Sequence, residues 1–301
     1  MVPIKLGVIG ISEGNGHPYS WAAIFDGYNK ALMEECGFPS IPRYLAKQNW
    51  PDCKIEEAQV THVWTQNIHL SQHIADTCFI DCVVGELQEM IEEVDAVLLA
   101  RDDAENHFYH ASPFLKSGVP VYIDKPISYS VKGLREIYEL EQFPGQIFTC
   151  SALRYAGDFS LNESEYRSIG EIVEVHAVAP KNWDRYSIHV IEPLLNLCGD
   201  LGRIIDYHKV LSRNDAGALS VLWSSGVVMH IHTTGGDAKA PFLLLFLGSE
   251  GCQTLTLKNN FSAFRNALLD FVQGVIHRDV RTNYEFVRKV VSLIELGRSR
   301  G

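Results

Sequence analysis

In the first half of the chain the apolar positions come in short runs separated by longer amphipathic stretches. "KLGVIGI" (5–11), "QVTHVWTQ" (59–66), "DAVLLA" (95–100), "VPVYID" (119–124) and "GQIFTCSAL" (145–153) are compact and rich in β-branched or aromatic residues, as buried strands are. Between them, residues 20–36, 69–78, 87–94, 105–118 and 130–142 space their apolar side chains as helices do, and Gly118 closes one of them. Strands alternating with helices predict right-handed βαβ units. The expected product is an α/β domain, a doubly wound parallel sheet covered on both faces.

Near Arg154 the pattern changes. "EIVEVHAVA" (171–179), "RIIDYHKVLSR" (203–213), "ALSVLWSS" (218–225), "GVVMHIHTT" (226–234), "FLLLFLGS" (242–249) and "CQTLTL" (252–257) follow one another with turns such as "SSG" and "GSEG". Such a succession predicts a largely antiparallel, open sheet. Helical stretches stand at 189–199, 261–276 and 283–299. The expected division is therefore residues 1–154, then an α+β domain over 155–301, with the last helix free to pack back on the first domain. A chain of 301 residues has the length for two such cores.

Composition narrows the function classes. With 46% hydrophobic and 21% charged residues the chain reads as a soluble globular protein. No apolar run approaches the roughly 18 residues that would span a bilayer. "MVPIKLGVIG" enters a strand directly without an export leader, so a cytoplasmic location is expected. A net charge of −11 repels phosphate backbones, which argues for a small-molecule partner and against nucleic acid. Seven scattered cysteines fit free thiols in a reducing compartment.

"GVIGISEGNGHPYS" (7–20) lies between the first strand and a helix, where doubly wound sheets lay a pyrophosphate on backbone N–H groups. Against the pattern Gly-x-Gly-x-x-Gly, Ser12 takes the second glycine position and Asn15 the third. Gly10, Ser12, Gly14 and Asn15 are the expected contacts to NAD or NADP. The second strand ends in Thr65, Gln66 and Asn67, with no carboxylate for a ribose. Gln66 is the expected substitute, and no arginine follows to select a 2′-phosphate.

"VPVYIDKPIS" (119–128) ends a buried strand with Asp124, Lys125 and Pro126. Ligands of open α/β sheets bind at the carboxyl ends of strands, and proline restricts the residue before it, which helps aim Lys125 into the site. An ammonium there stabilises the oxygen that gains charge as a neighbouring C–H gives up hydride. His189, opening an apolar helix, is the second acid–base candidate, and Glu192 one turn later is placed to orient it. His17 follows the glycine loop and is expected to face nicotinamide or substrate. Arg154, Asp184, Arg185 and Tyr186 are expected substrate contacts. No metal is expected. The pairs His69/His73 and His230/His232 read as a helix surface and a sheet surface, and Cys78/Cys82 lacks further ligands.

Taken together, these segments resemble the Gfo/Idh/MocA family of nicotinamide-dependent oxidoreductases over most of the chain. "EVDAVLLARDDAENHFYHASPFLKSGVPVYIDKPIS" is similar to that family's run from the fourth strand to its Glu-Lys-Pro motif, with Asp124 in the Glu position. The resemblance implies that Lys125 and His189 are catalytic and that Arg101, His107 and Asp124 border the cofactor. "SALRYAGD" resembles the crossover into the second domain, with Arg154 at a frequent arginine position. "DRYSIHVIEPLLNLCG" resembles the Asp-x-Gly-x-His segment, with Arg185 standing where the family usually has Asp, and Ser187 replacing Gly. The activity implied is hydride transfer between NAD(P) and a small polar substrate, a sugar or sugar derivative, held in a crevice between domains. The open sheet would serve a homodimer or homotetramer. An NAD-recycling glycoside-cleaving enzyme of the same family type and a non-enzymatic nucleotide sensor are the alternatives.

Overall fold

Six parallel strands build the first sheet: β1 (Ile4–Ile9), β2 (Ala58–Trp64), β3 (Cys82–Val83), β4 (Ala96–Leu99), β5 (Val121–Ile123) and β6 (Ile147–Phe148), in the order β3-β2-β1-β4-β5-β6. The computed structural model describes residues 2–211, 215–236 and 238–298. Every side chain of β4 and β5 is buried, as the continuous apolar runs predict for strands covered on both faces. The helices of this part are α1 (His17–Asp26), α2 (Lys30–Glu34), α3 (Ser40–Leu45), α4 (Ile68–Cys78), α5 (His107–Lys116) and α6 (Val131–Tyr138). Strand order reverses between β1 and β4, so the chain ends leaving these two strands flank the switch point where ligands of such sheets bind.

Residues 20–36 do not form the single helix expected. Gly27 stands at φ +82°, and the Asn29 side chain accepts the Ala31 and Leu32 amides as an N-cap, so α1 stops and α2 starts afresh. The stretch 87–94 likewise yields only a short 3₁₀ turn, Leu87–Met90.

The second sheet comprises β7 (Ile172–Ala179), β8 (Ile204–Leu211), β9 (Gly217–Trp223), β10 (Val228–Thr233), β11 (Leu243–Gly248) and β12 (Cys252–Thr256), in the order β12-β11-β7-β10-β9-β8. All neighbours are antiparallel except β7 and β10, which run parallel. The remaining helices in chain order are α7 (Glu163–Ile169), α8 (Trp183–Tyr186), α9 (Ile188–Cys198), α10 (Phe261–His277) and α11 (Tyr284–Gly297). Val175, Ala177 and Ala179 of β7 are buried, while Glu174, His176 and Val178 face the opposite, half-exposed side.

The chain divides into one unit of Met1–Ser128, Lys132–Cys150 and Phe264–Tyr284, and another of Tyr129–Val131, Ser151–Ala263 and Glu285–Gly301. α10 from Phe264 onward therefore belongs to the first unit. Arg265 on α10 donates to the Cys53 and Lys54 carbonyls, at 2.8 and 3.2 Å, and Phe271 packs on Tyr122 and Phe148. α11 stays with the second unit. The Trp183 indole donates to the Ile294 carbonyl at 2.9 Å, and a Cβ on Gly297 would stand 1.9 Å from the Trp183 ring.

Candidate active site

In the first unit the predicted residues gather at the carboxyl ends of β1, β4 and β5. Lys125 is 5% exposed and Asp124 1% exposed. The Lys125 ammonium lies 3.6 Å from Asp102 Oδ2, while Asp102 Oδ1 accepts the Ser12 hydroxyl at 2.6 Å. The Asp102 amide in turn donates to Ser12 Oγ at 3.0 Å, so the chain ends leaving β1 and β4 are tied across the switch point. Asp124 accepts at Oδ2 from Asn15 Nδ2 at 2.9 Å and sits 2.6 Å from His17 Nδ1; its Oδ1 accepts the Lys125 amide at 2.8 Å. Burial pushes the Asp124 carboxyl up, but the His17 ring, the Lys125 ammonium and these hydrogen bonds outweigh it and hold it at about 2. His17 stacks on Trp21 at 4.9 Å and meets the edge of Phe264 at 5.3 Å. Its ring is thus fixed on two sides, with one nitrogen committed to a carboxylate.

The glycine loop has two kinds of glycine. A Cβ on Gly10 would lie 2.3 Å from Pro18, and one on Gly16 2.5 Å from Ile41, so packing against α1 and α3 excludes side chains there. Gly14 is different. It has φ +78° with open space where a side chain would be, on an exposed stretch of the loop. The positive φ favours glycine, and the open, exposed backbone leaves room for a dinucleotide's phosphates.

Several predicted contacts are already committed within the unit. Gln66 grips both the amide and the carbonyl of Ile11, at 3.1 and 2.8 Å. Asn67 caps α4, and Thr65 bonds Ser71. Arg101 makes a two-pronged pair with Asp103, at 2.9 and 2.6 Å, and reaches Gln66 at 3.1 Å. His107 is fully buried with its ring nitrogens on the Ile127 and Arg101 carbonyls, at 3.1 and 2.8 Å. It presents neither nitrogen to a ligand and instead fastens the ends of β4 and β5 to each other.

In the second unit, His189 Nδ1 lies 2.8 Å from Ser151 Oγ, and the Ser151 amide donates to Glu192 Oε2 at 2.5 Å. Glu192 therefore reaches His189 through Ser151 and not directly, which corrects the expected one-turn contact. Ser151 Oγ also accepts the Leu153 amide at 3.3 Å, and with one hydrogen and a second lone pair it can pair with either tautomer of the His189 ring. Tyr186 and Phe242 flank the imidazole edge-on, at 5.7 and 5.3 Å. Glu192 is 2% exposed, and burial pushes its carboxyl up to about 7 against the pull of Arg154 and the Ser151 amide. The Arg154 guanidinium lies over the Tyr155 and Phe286 rings. Tyr186 takes a hydrogen bond and a ring contact from Lys181. Asp184 is paired with Arg298 at 2.9 and 3.0 Å, so its carboxylate is engaged at the end of α11. Arg185 donates its amide to Asn182, the cap of α8.

Asp102 and Ser151 escaped sequence reasoning. The signals were the doubled acid after Arg101 and the serine just before the crossover, neither of them distinctive alone. A cavity of about 870 Å³ also opens in the first unit, but at the amino ends of β1 and β5, beside Ile4, Pro120 and Phe143, away from this chemistry.

Residues 4–151 match the family model described as "Oxidoreductase family, NAD-binding Rossmann fold", that of Gfo/Idh/MocA. The chain belongs to the Gfo/Idh/MocA family. The first unit is thus the NAD-binding part of an oxidoreductase. No curated protein matches the sequence. Solved structures share the fold over nearly the whole length. Myo-inositol 2-dehydrogenase from Lactobacillus plantarum is 13% identical with a TM-score of 0.73, covering 97% of this chain and 95% of its own. UDP-N-acetylglucosamine 3-dehydrogenase from Acidithiobacillus ferrooxidans is 15% identical with a TM-score of 0.70, covering 98% and 96%. Scyllo-inositol dehydrogenase from Lactobacillus casei, solved with NAD(H) and scyllo-inositol, is 13% identical with a TM-score of 0.68, covering 97% and 95%. Within this family, the present chain departs from the usual pattern in its serine- and asparagine-bearing loop and in the Asp124–Lys125 pair.

Proposed function

We propose that this Gfo/Idh/MocA oxidoreductase oxidises one secondary hydroxyl of a cyclic polyol or sugar derivative to a ketone. NAD⁺, when bound, accepts the hydride, and the hydroxyl proton passes to the protein. The buried Lys125 ammonium beside Asp102 carries this reading. A cation there would stabilise a developing alkoxide, and Asp102 lies 3.6 Å from it. His189, whose Nε2 can take the hydroxyl proton when Nδ1 carries the ring hydrogen and donates it to Ser151 Oγ, is the proposed acid–base partner, and Ser151 and Glu192 are its positioning residues. Gly14 and the neighbouring loop amides would hold the phosphates, with Ser12 and Asn15 shaping the loop through Asp102 and Asp124. Inositols and a nucleotide sugar are named for the structural relatives, and a hydroxyl-rich substrate is the class we propose for this chain. The half-exposed face of the second sheet, with Val210 56% and Leu222 38% exposed, is our proposed surface for a homodimer or homotetramer. Among the described residues no helix is long and apolar enough to cross a membrane.

The test is a titration with NAD⁺ and NADP⁺, then a panel of cyclic polyols and sugar derivatives followed by nicotinamide absorbance. Saturable NAD⁺ binding and turnover of at least one polyol are expected. Lys125→Met is expected to lose about 10²- to 10⁴-fold in kcat/KM while NAD⁺ affinity stays within a few-fold. Failure to bind either dinucleotide at millimolar concentration would refute the assignment. Glycoside cleavage with no net absorbance change would replace it with the cofactor-recycling alternative.

A further inference from the structure

We propose that the outward face of the second sheet carries a divalent transition-metal site, for Zn²⁺, built from Glu174, His176 and His230. His176 on β7 and His230 on β10 are direct partners in the parallel register, and Glu174 precedes His176 by one pleat on the same face. Glu174 Oε1 lies 2.6 Å from His176 Nε2 and 3.3 Å from His230 Nε2, and all three ligand atoms fall within 4.8 Å of one another. The imidazoles are stacked, with centroids 4.7 Å apart and planes at 24°, so both present the same ring nitrogen to one carboxylate oxygen. An ordinary carboxylate–histidine pair needs one such nitrogen, and two converging on one oxygen is the pattern of a ligand set.

The surroundings agree. Ser220 on β9 is the cross-strand partner of His230 and lies 2.8 Å from its Nδ1. A hydrogen bond at the second nitrogen fixes the ring and leaves Nε2 as the ligand, as metal-bound histidines commonly have it. In the single chain the three side chains are 37%, 32% and 25% exposed, so before copies associate over this face an ion can enter from solvent and a water can fill a fourth position. Zn²⁺ takes imidazole nitrogen at about 2.0–2.1 Å and carboxylate oxygen at about 2.0–2.2 Å, so small side-chain rotations complete the site. Two imidazoles and a carboxylate suit a borderline ion better than Ca²⁺ or Mg²⁺. The buried face of β7 carries Val175, Ala177 and Ala179, so the site belongs to the open side alone. Zn²⁺ there would join the one parallel pair of an otherwise antiparallel sheet.

The experiment is calorimetric Zn²⁺ titration of the tag-free, chelator-treated full chain, with Co²⁺ absorption as a second readout. One ion per chain and a ligand-field Co²⁺ spectrum are expected. The double variant His176→Ala/His230→Ala should bind at least about 10²-fold more weakly, and Ser220→Ala about 10-fold more weakly, as loss of a supporting hydrogen bond does. Glu174→Gln keeps the shape and serves if the histidine variants misfold, with at least 10-fold weakening expected on the same scale. Equal Zn²⁺ affinity in wild type and Glu174→Gln, or a wild-type chain that takes up no Zn²⁺, would overturn the proposal.

Discussion

Asp124 and Glu192 are both buried carboxylates, 1% and 2% exposed, and each accepts a backbone amide beside a proposed catalytic group. Their proton affinities diverge. Asp124 is held at about 2 and Glu192 is raised to about 7. Desolvation is the largest influence on both and pushes both upward. What separates them is company. Asp124 has the His17 ring, the Lys125 ammonium and the Asn15 amide within reach, whereas Glu192 has one amide and the Arg154 charge. In the proposed mechanism the charged carboxylate thus stands beside the Lys125 ammonium, and the neutral-leaning one behind the His189 imidazole. The lesson is that depth of burial does not assign charge state. The count of donors and cations around the group does.

Neutralising the second member of the pair tests this most strongly. Because the folded Glu192 carboxyl is raised from an ordinary 4.5 to about 7, the native state holds its proton longer than the unfolded chain does. Its stabilising influence is full below pH 4.5 and is lost as pH rises through 7. A shift of that size corresponds to about 3 kcal/mol. Glu192→Gln is therefore expected to match wild type near pH 4.5 and to exceed it by about 3 kcal/mol at pH 8, read from urea unfolding. Asp26 is also raised to about 7 by burial, but it is present in both chains and cancels in the difference.

The opposite sign is expected at Asp124. Its folded carboxyl lies below the usual 3.8, so it adds stability above that pH, which is lost as pH falls through about 2. The amount is about 2 kcal/mol. Acid unfolding of wild type should therefore steepen between pH 4 and 2, and Asp124→Asn should flatten that limb. A flat wild-type limb would show that His17 and Lys125 do not compensate the burial of Asp124.

Much of this frame was legible in the residues. The continuous apolar runs of β4 and β5 announced strands buried on both faces, and the Asp124–Lys125–Pro126 ending marked the reactive edge because a charge after a buried strand has few structural reasons to be there. What stayed hidden is held by distant partners. Ser12 finds Asp102 across 90 residues, Asp184 finds Arg298 across 114, and Ser151 finds His189 across 38. None of these pairings leaves a periodic trace. Gln66 and His107 illustrate the converse. Residue type and place pointed to a ligand, yet the ring nitrogens of His107 and the amide of Gln66 serve main-chain groups. The parallel pairing of β7 with β10 was equally invisible, since alternation reports which face is buried and not which strand is the neighbour.

The smallest effect expected is also the sharpest comparison between the two carboxylate settings. Ser151→Ala removes the hydroxyl that joins Glu192's segment to the His189 ring, without touching either charge. One neutral hydrogen bond contributes about 1 kcal/mol, which is about fivefold in rate. kcat is expected to fall by about that factor with KM nearly unchanged, because the ring loses orientation while the substrate contacts persist. Ser151→Thr, which restores the hydroxyl, should recover most of the loss. A purely structural serine would instead move thermal stability and leave the pH–rate profile where it was. A positioning serine should shift the limb of that profile that reports the imidazole, because Nδ1 loses its hydrogen-bond partner. An unchanged profile together with an unchanged kcat would detach Ser151, and Glu192 behind it, from the chemistry at His189.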